Sequence, residues 1–203
     1  MKIAITGGGA AGFFSAITAK ENYPEASVTI FEKSSKVLHK VRISGGGRCN
    51  ITNGCESLEQ LCSAYPRGGR QLKKIFPLFD NKDTVSWFES RGVQLVLQED
   101  GCIFPRTQDS GSVTSCLTRE ARRLGVDVIT DAGVKSVTKD GELLELAFVN
   151  PERTPLQFDK VIVTTGGSPR KSGLIWLEQL GHKIEEPVPS LFTFNMPGEP
   201  IRK

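Results

Sequence analysis

The stretch Lys2–Glu32, KIAITGGGAAGFFSAITAKENYPEASVTIFE, sets the fold class. Lys2–Thr6 is a short apolar strand that runs straight into glycines. Ala10–Lys20, rich in Ala, Phe and Ile, is predicted to be a helix, and Ser27–Glu32 a second apolar strand. Strand, helix and strand within about 30 residues form a βαβ unit, which implies parallel pairing and a right-handed crossover. Gly7-Gly8-Gly9-Ala10-Ala11-Gly12 is then a G-x-G-x-x-G in the context that gives this motif its meaning. Gly7 permits the tight turn, Gly9 lets backbone approach a pyrophosphate, and Gly12 lets helix and strand pack closely. The anion would rest at the helix N-terminus, where free N–H groups and the dipole favour it. Glu32 would accept hydrogen bonds from the adenosine ribose hydroxyls. The plainer competing reading is a strand–turn–helix whose glycines serve sterics alone.

Downstream, Lys33–Asn53 is polar and glycine-bearing and is predicted to be loop. Glu56–Ala64 and Arg70–Phe79 have helical patterns, the second interrupted by Pro77, and Asp83 is the expected N-cap of a helix ending near Gly92. Val93–Phe104 is expected to be a hairpin closed by Asp100-Gly101. Ser112–Leu124 carries an apolar stripe at helical spacing and stops at Gly125. After a strand at Val126–Thr130, the segments Val134–Thr138, Leu143–Val149 and Leu156–Phe158 are predicted to form a three-stranded antiparallel meander. Val161–Thr164 is the last apolar strand, and the chain beyond Gly181 is expected to be irregular.

Two further glycine clusters carry chemistry. Lys40–Asn53, KVRISGGGRCNITN, sets Gly45, Gly46 and Gly47 among Lys40, Arg42, Ser44, Arg48 and Asn50. Bare backbone N–H groups beside fixed cations suit phosphate or ring carbonyl oxygens; the alternative is a solvated basic loop. Cys49 has no neighbour that suggests a base or a metal, so a buried filler is the plainer reading. Val161–Gly167, VIVTTGG, again brings glycines to the carboxyl end of a strand, where ligands bind in open α/β sheets.

Taken together, the G-x-G-x-x-G with its distal Glu, SGGGRCNITN, a meander and TTGG resemble the bacterial flavoproteins of the HI0933-like type. These are FAD-dependent, NAD(P)-linked oxidoreductases with aminoacetone oxidase-like enzymes among them. SGGGRCN is the most specific element. GCIFPRT (Gly101–Thr107), GVDVITDAGVKSV (Gly125–Val137) and LGHKIEEPVPSL (Leu180–Leu191) are also similar, so the resemblance covers essentially the whole chain. It implies a glutathione-reductase-like FAD-binding domain: an α/β fold with a parallel Rossmann-type sheet and an antiparallel β-meander. That domain would span residues 1–190, with a helical and hairpin insertion at about 56–107.

The resemblance implies FAD held non-covalently by Gly7, Gly9, Ala10, Ala11 and Gly12 at the pyrophosphate and by Glu32 and Lys33 at the ribose end. Lys40, Ser44, Gly45, Gly46, Gly47, Arg48, Cys49 and Asn50 would lie along the cofactor toward the flavin. Val134 would offer backbone to adenine, and Thr165, Gly166 and Gly167 would approach from the other side. NAD(P)H is the candidate reductant and a small molecule the expected substrate; no catalytic residue and no oligomeric state are indicated.

Two departures stand out. Ser168–Gly173 reads SPRKSG where the family has a longer glycine-rich stretch. Family members are also about twice as long, so residues 191–203 are expected to begin a truncated substrate-side domain, and the 203-residue chain is expected to have no turnover alone.

Composition narrows the classes further. Glycine, at 21 of 203 residues, exceeds its usual ~7%. A net charge of +3 gives thin support for nucleic acid, and no apolar run approaches the ~20 residues that span a bilayer. Five cysteines without a C-x-x-C pair, and only two histidines, argue against a disulfide framework and a metal site and for a reducing cytoplasm. His39 is expected on a solvated face, as are Arg67, Arg70, Lys73 and Lys74; His182 is expected to be an ordinary polar residue at a helix C-terminus, while Trp87 and Phe88 are expected to pack. The alternatives kept open are a plain NAD(P)-binding Rossmann dehydrogenase domain and a non-catalytic dinucleotide-binding module.

Overall fold

The computed structural model describes residues 1–168 and 171–188. Three sheets organise the chain. The central one is parallel, with strands β1 (Lys2–Thr6), β2 (Ser27–Phe31), β6 (Asp127–Ile129) and β10 (Lys160–Val163) in the order β10-β1-β2-β6. Parallel sheets of this kind are covered on both faces, which is why β1 and β2 are apolar nearly throughout. On one face Ile3, Ile5, Val28 and Ile30 pack against α1 (Ala10–Asn22) and α6 (Gly111–Arg123), through Phe13, Ile17, Val113 and Leu117. On the other, Ala4 and Phe31 meet the antiparallel meander β7 (Val134–Asp140), β8 (Leu143–Phe148) and β9 (Leu156–Phe158). Phe31 holds that layer with ring contacts of 5.3 Å to Phe148 and 5.7 Å to Phe158.

The βαβ unit, the meander and the closing strand lie where the sequence predicts them. The segment between β2 and α6 differs in detail. Residues 33–53, expected to be loop, contain a short helix α2 (His39–Ile43), a 3₁₀ turn at Ser44–Gly47 and a two-residue strand β3 (Thr52–Asn53). β3 joins β5 (Cys102–Pro105), which also pairs with β4 (Leu95–Leu97), so the expected hairpin is one part of a three-stranded sheet in the order β3-β5-β4.

Helix α3 (Leu58–Ser63) begins with a capping box between Ser57 and Gln60. Helix α4 (Gly69–Ile75) ends before Pro77, earlier than its pattern suggests, because proline cannot continue the backbone ladder. Helix α5 (Asn81–Glu89) is capped by Asp80, not by Asp83. Asp80 accepts from the N–H groups of Lys82 and Asp83, and the Asp83 side chain accepts in return from the Asp80 N–H. A capping box with two acidic members is ambiguous by three residues when read from sequence alone.

Beyond β10 the described residues form 3₁₀ turns at Lys171–Gly173 and Ile175–Leu180, and Trp176 and Leu180 pack on the meander core. The expectation of a second domain at 191–203 lies outside the described residues, as does part of the SPRKSG segment.

Candidate functional site

The carboxyl ends of β1, β2 and β10 open into one cavity of about 1060 Å³. Each glycine of the first motif has a different steric environment. Gly7 has φ +112°, and a side chain there would meet the Thr164 carbonyl oxygen at 2.5 Å. A Cβ on Gly12 would overlap the Gly7 carbonyl oxygen, so α1 crosses β1 only because that atom is missing. A Cβ on Gly9 would have nothing within 4 Å and would point into open space. Gly9 is also the N-cap of α1, with no side-chain cap and no acidic residue in the first turn. The first turn of a helix leaves backbone donors unsatisfied, so this end of the cavity suits an anion.

Glu32 closes β2 and is doubly engaged. One carboxylate oxygen accepts from the Gly8 N–H at 2.7 Å; the other accepts from the Ser34 N–H at 2.9 Å and the Ser34 hydroxyl at 2.8 Å. Burial alone would push its carboxyl up, but the bonds from Ser34 and Gly8 and the charge of Lys33 outweigh that and hold it below its ordinary value of 4.5. A depressed carboxyl stabilises the fold fully above its unfolded value, and the stability is lost as pH falls through the folded value. Glu32→Gln is therefore expected to cost about 1 kcal/mol at pH 7, allowing for solvent screening, and much less at pH 3. Thermal unfolding of both proteins at the two pH values checks this; an equal difference at each would contradict it.

The second glycine cluster reaches the cavity through α2. The Leu38 N–H donates to the Gly8 carbonyl at 2.8 Å, which ties the start of α2 to the first turn. Lys40 then brings its Nζ to 3.5 Å from where a Cβ on Gly166 would stand, joining the second and third clusters. The third cluster is locked to the first by the Thr164 hydroxyl, which donates to the carbonyls of Thr6 and Gly7 at 3.0 Å each.

Of the residues singled out in the sequence, Gly9, Ala10, Ala11, Glu32, Lys33 and Lys40 line the cavity, as do Ser44, Cys49, Asn50, Thr165, Gly166 and Gly167. Gly7 and Gly12 lie behind its wall as packing positions. Gly45, Gly46, Gly47 and Arg48 do not line it; Gly45 and Arg48 stand against Phe104 of β5, and a Cβ on Gly46 or Gly47 would meet nothing within 4 Å. Val134 opens β7 opposite Phe148, next to Gly133, whose Cβ would lie 3.1 Å from that of Lys33. Val134 thus stands beside the Lys33 rim without lining the cavity. Cys49 is buried, and burial pushes its thiol up despite a bond to Ser44, so it is a protonated wall residue and not a poised nucleophile.

Gly8, inside the first motif, lines the cavity too; sequence patterns do not single out Ser34, Ser35 and Lys36, which continue the polar rim after Glu32, and His39, expected on a solvated face, also lines it. A short polar run directly after the acidic strand end is the available signal. Phe14, Phe79, Trp87 and Phe88 form an apolar end of the same cavity. Trp87 and Phe88 are buried as expected, and nothing in their local sequence marks a cavity wall. Among the described residues, no group of His, Cys, Asp and Glu could hold a metal ion, and no helix is long and apolar enough to cross a membrane.

Comparison with known proteins places this arrangement. The chain is 29% identical over 211 aligned residues to the 3-dehydro-bile acid delta(4,6)-reductase of Clostridium scindens, covering all of the chain and 49% of that protein. It is 28% identical over 198 residues to the ribosomal RNA dihydrouridine synthase of Haemophilus influenzae, covering 94% of the chain and 48% of that protein. The chain therefore spans about half the length of these relatives. Among solved structures, the open conformation of a flavocytochrome c3 fumarate reductase superposes with a TM-score of 0.63 at 18% identity, over 89% of this chain and 36% of that one, and shares the fold. Residues 1–189 match the HI0933-like protein Rossmann domain, and the chain belongs to that family.

Proposed function

We propose that this Rossmann domain binds FAD non-covalently in an extended pose and serves a flavin-dependent oxidoreductase. The observation that carries the reading is the convergence of three strand ends on one cavity: β1 and β10 bring glycines, β2 brings Glu32, and the uncapped N-terminus of α1 and Lys40 beside Gly166 line the same space. The residues fit the cofactor's chemistry. Gly9, Ala10 and Ala11 present backbone donors to a pyrophosphate, Lys40 adds a cation, and Glu32 keeps lone pairs for ribose hydroxyls beside Lys33. Val134 offers backbone to the adenine, and Ser44, Cys49, Asn50 and Thr165–Gly167 flank the remainder of the cofactor.

When bound, FAD supplies the redox chemistry, and the protein binds, orients and tunes it. The meander over Phe31 favours this reading over a plain NAD(P)-dependent Rossmann dehydrogenase, whose sheet would continue with alternating strands and helices. NAD(P)H is the proposed reductant and a small molecule the proposed substrate, in keeping with the bile-acid reductase relative. The relative that acts on ribosomal RNA makes nucleic acid the competing substrate class. Five unpaired thiols suit the cytoplasm.

The test is binding of FAD, NADH and NADPH to the purified protein, followed by flavin absorbance and fluorescence. FAD is expected to bind at least tenfold more tightly than either nicotinamide cofactor, a difference of about 1.4 kcal/mol. Preference for NADH or NADPH, with no flavin retained after FAD addition, would overturn the proposal.

A further inference from the structure

Gly45, Gly46 and Gly47 have φ of +55°, +68° and +87°, and Cys49 adds a non-glycine residue at +66°. A run of left-handed residues holds its shape only when its surroundings over-determine it, because glycine loses more freedom on ordering than any other residue. Two anchors come from Ser110, the N-cap residue of α6: its N–H donates to the Gly47 carbonyl at 2.9 Å, and its hydroxyl to the Arg42 carbonyl at 2.8 Å. The third is Arg48. Its guanidinium lies 4.1 Å from the centre of the Phe104 ring, and its Nε donates to the Gly45 carbonyl at 3.2 Å. Its Nη1 reaches Gln108 at 3.3 Å and Gln98 at 3.5 Å. The Phe104 ring also stands 2.9 Å from where a Gly45 side chain would begin, so one ring fills the space behind the glycine and supports the arginine.

We infer that Arg48 is a positioning residue that latches the 44–50 loop to β5 through Phe104, Gln98 and Gln108, and makes no direct contact with the dinucleotide. The inference builds on the proposed FAD function of the cavity. With the latch closed, Gly45 and Arg48 stand against Phe104 of β5 while Ser44, Cys49 and Asn50 line the cavity. The small β3-β5-β4 sheet then serves as the post on which the loop is hung, and the loop enters β3 directly, with the Ile51 N–H donating to the Ile103 carbonyl at 2.9 Å. A planar guanidinium that stacks and donates from several nitrogens is not replaced by an ammonium.

Arg48→Lys and Phe104→Leu, made in the full chain, are each expected to weaken FAD binding about tenfold. Without FAD, amide exchange of residues 45–50 should quicken about tenfold or more while the α1 and β1 amides are unchanged. The double variant should lose no more affinity than either single one, since both remove one device. Should Phe104→Leu fail to fold, Gln98→Ala with Gln108→Ala removes the two side-chain acceptors on the surface and should give the same pattern. Weakened FAD binding in Arg48→Lys with unchanged exchange at 45–50 would mean direct contact and overturn the latch; so would unchanged exchange and affinity in all variants. Exchange is read without ligand, so absence of FAD binding by the unaltered protein would sink the proposed function and leave the latch to be decided by exchange alone.

Discussion

Gly12→Ala is expected to destabilise the protein by about 3 kcal/mol and to weaken FAD binding at least a hundredfold. The added methyl would overlap the Gly7 carbonyl oxygen and crowd the Thr164 hydroxyl at 3.0 Å. Neither neighbour is free to yield. The Gly7 carbonyl belongs to the turn itself, and Thr164 is held by its bonds to the Thr6 and Gly7 carbonyls. The helix must therefore lift from β1, which disturbs the core at Phe13 and Ile17 and moves the first-turn N–H groups. In a domain of this size 3 kcal/mol corresponds to a fall in melting temperature of about 6–12 °C. A melting temperature within about 1 °C of the unaltered protein would refute the steric argument, whatever happened to binding.

Gly9→Asp separates binding from folding, because its effects on the two have opposite signs. Gly9 has φ −88° and ψ −171°, an N-cap conformation open to any residue, and a Cβ there meets nothing within 4 Å. Aspartate is a strong N-cap and its charge favours the helix N-terminus, so stability should rise by about 0.5 kcal/mol. The same carboxylate would occupy the place proposed for the pyrophosphate, accept the donors meant for it and repel it. FAD affinity is expected to fall at least a hundredfold while the melting temperature holds or rises slightly. Gly9→Ala is the steric control, and its FAD affinity should fall between. Unchanged FAD affinity in Gly9→Asp would remove the anion from the α1 terminus.

Both predictions rest on residues that the motif singles out, and the tight turn at Gly7 and the close packing at Gly12 are legible in the sequence alone because they act through local geometry. The meander is legible for a similar reason: Asp140-Gly141 and the proline-bearing Pro151–Pro155 punctuate three apolar runs. The misses occur where a partner far along the chain defines the structure. A strand of two residues, Thr52–Asn53, exists only because β5 lies beside it, about fifty residues later. Helix α2 spans five residues, too few for a period to appear, and starts from Leu38 in a left-handed conformation that no pattern announces. Arg48 reads as a free cation beside glycines, and the ring and two glutamines that turn it away from the cavity sit at 98, 104 and 108.

The order of the central sheet also governs when the site comes into being. β1 pairs with β2 from the same βαβ unit, but its other neighbour, β10, is about 150 residues downstream, with Ile3 opposite Lys160. At translation rates of about 5–20 residues per second, roughly 10–30 s separate the emergence of the two strands from the ribosome. Through that interval β1 has an open edge, and the Gly7 turn lacks the Thr164 hydroxyl that later fixes its carbonyl. Such distant pairing is slow to form and leaves strands exposed to wrong partners. A nascent chain released before β10 would carry the dinucleotide motif intact and still lack one wall of the cavity, so ligand capture becomes a late event in the life of the polypeptide.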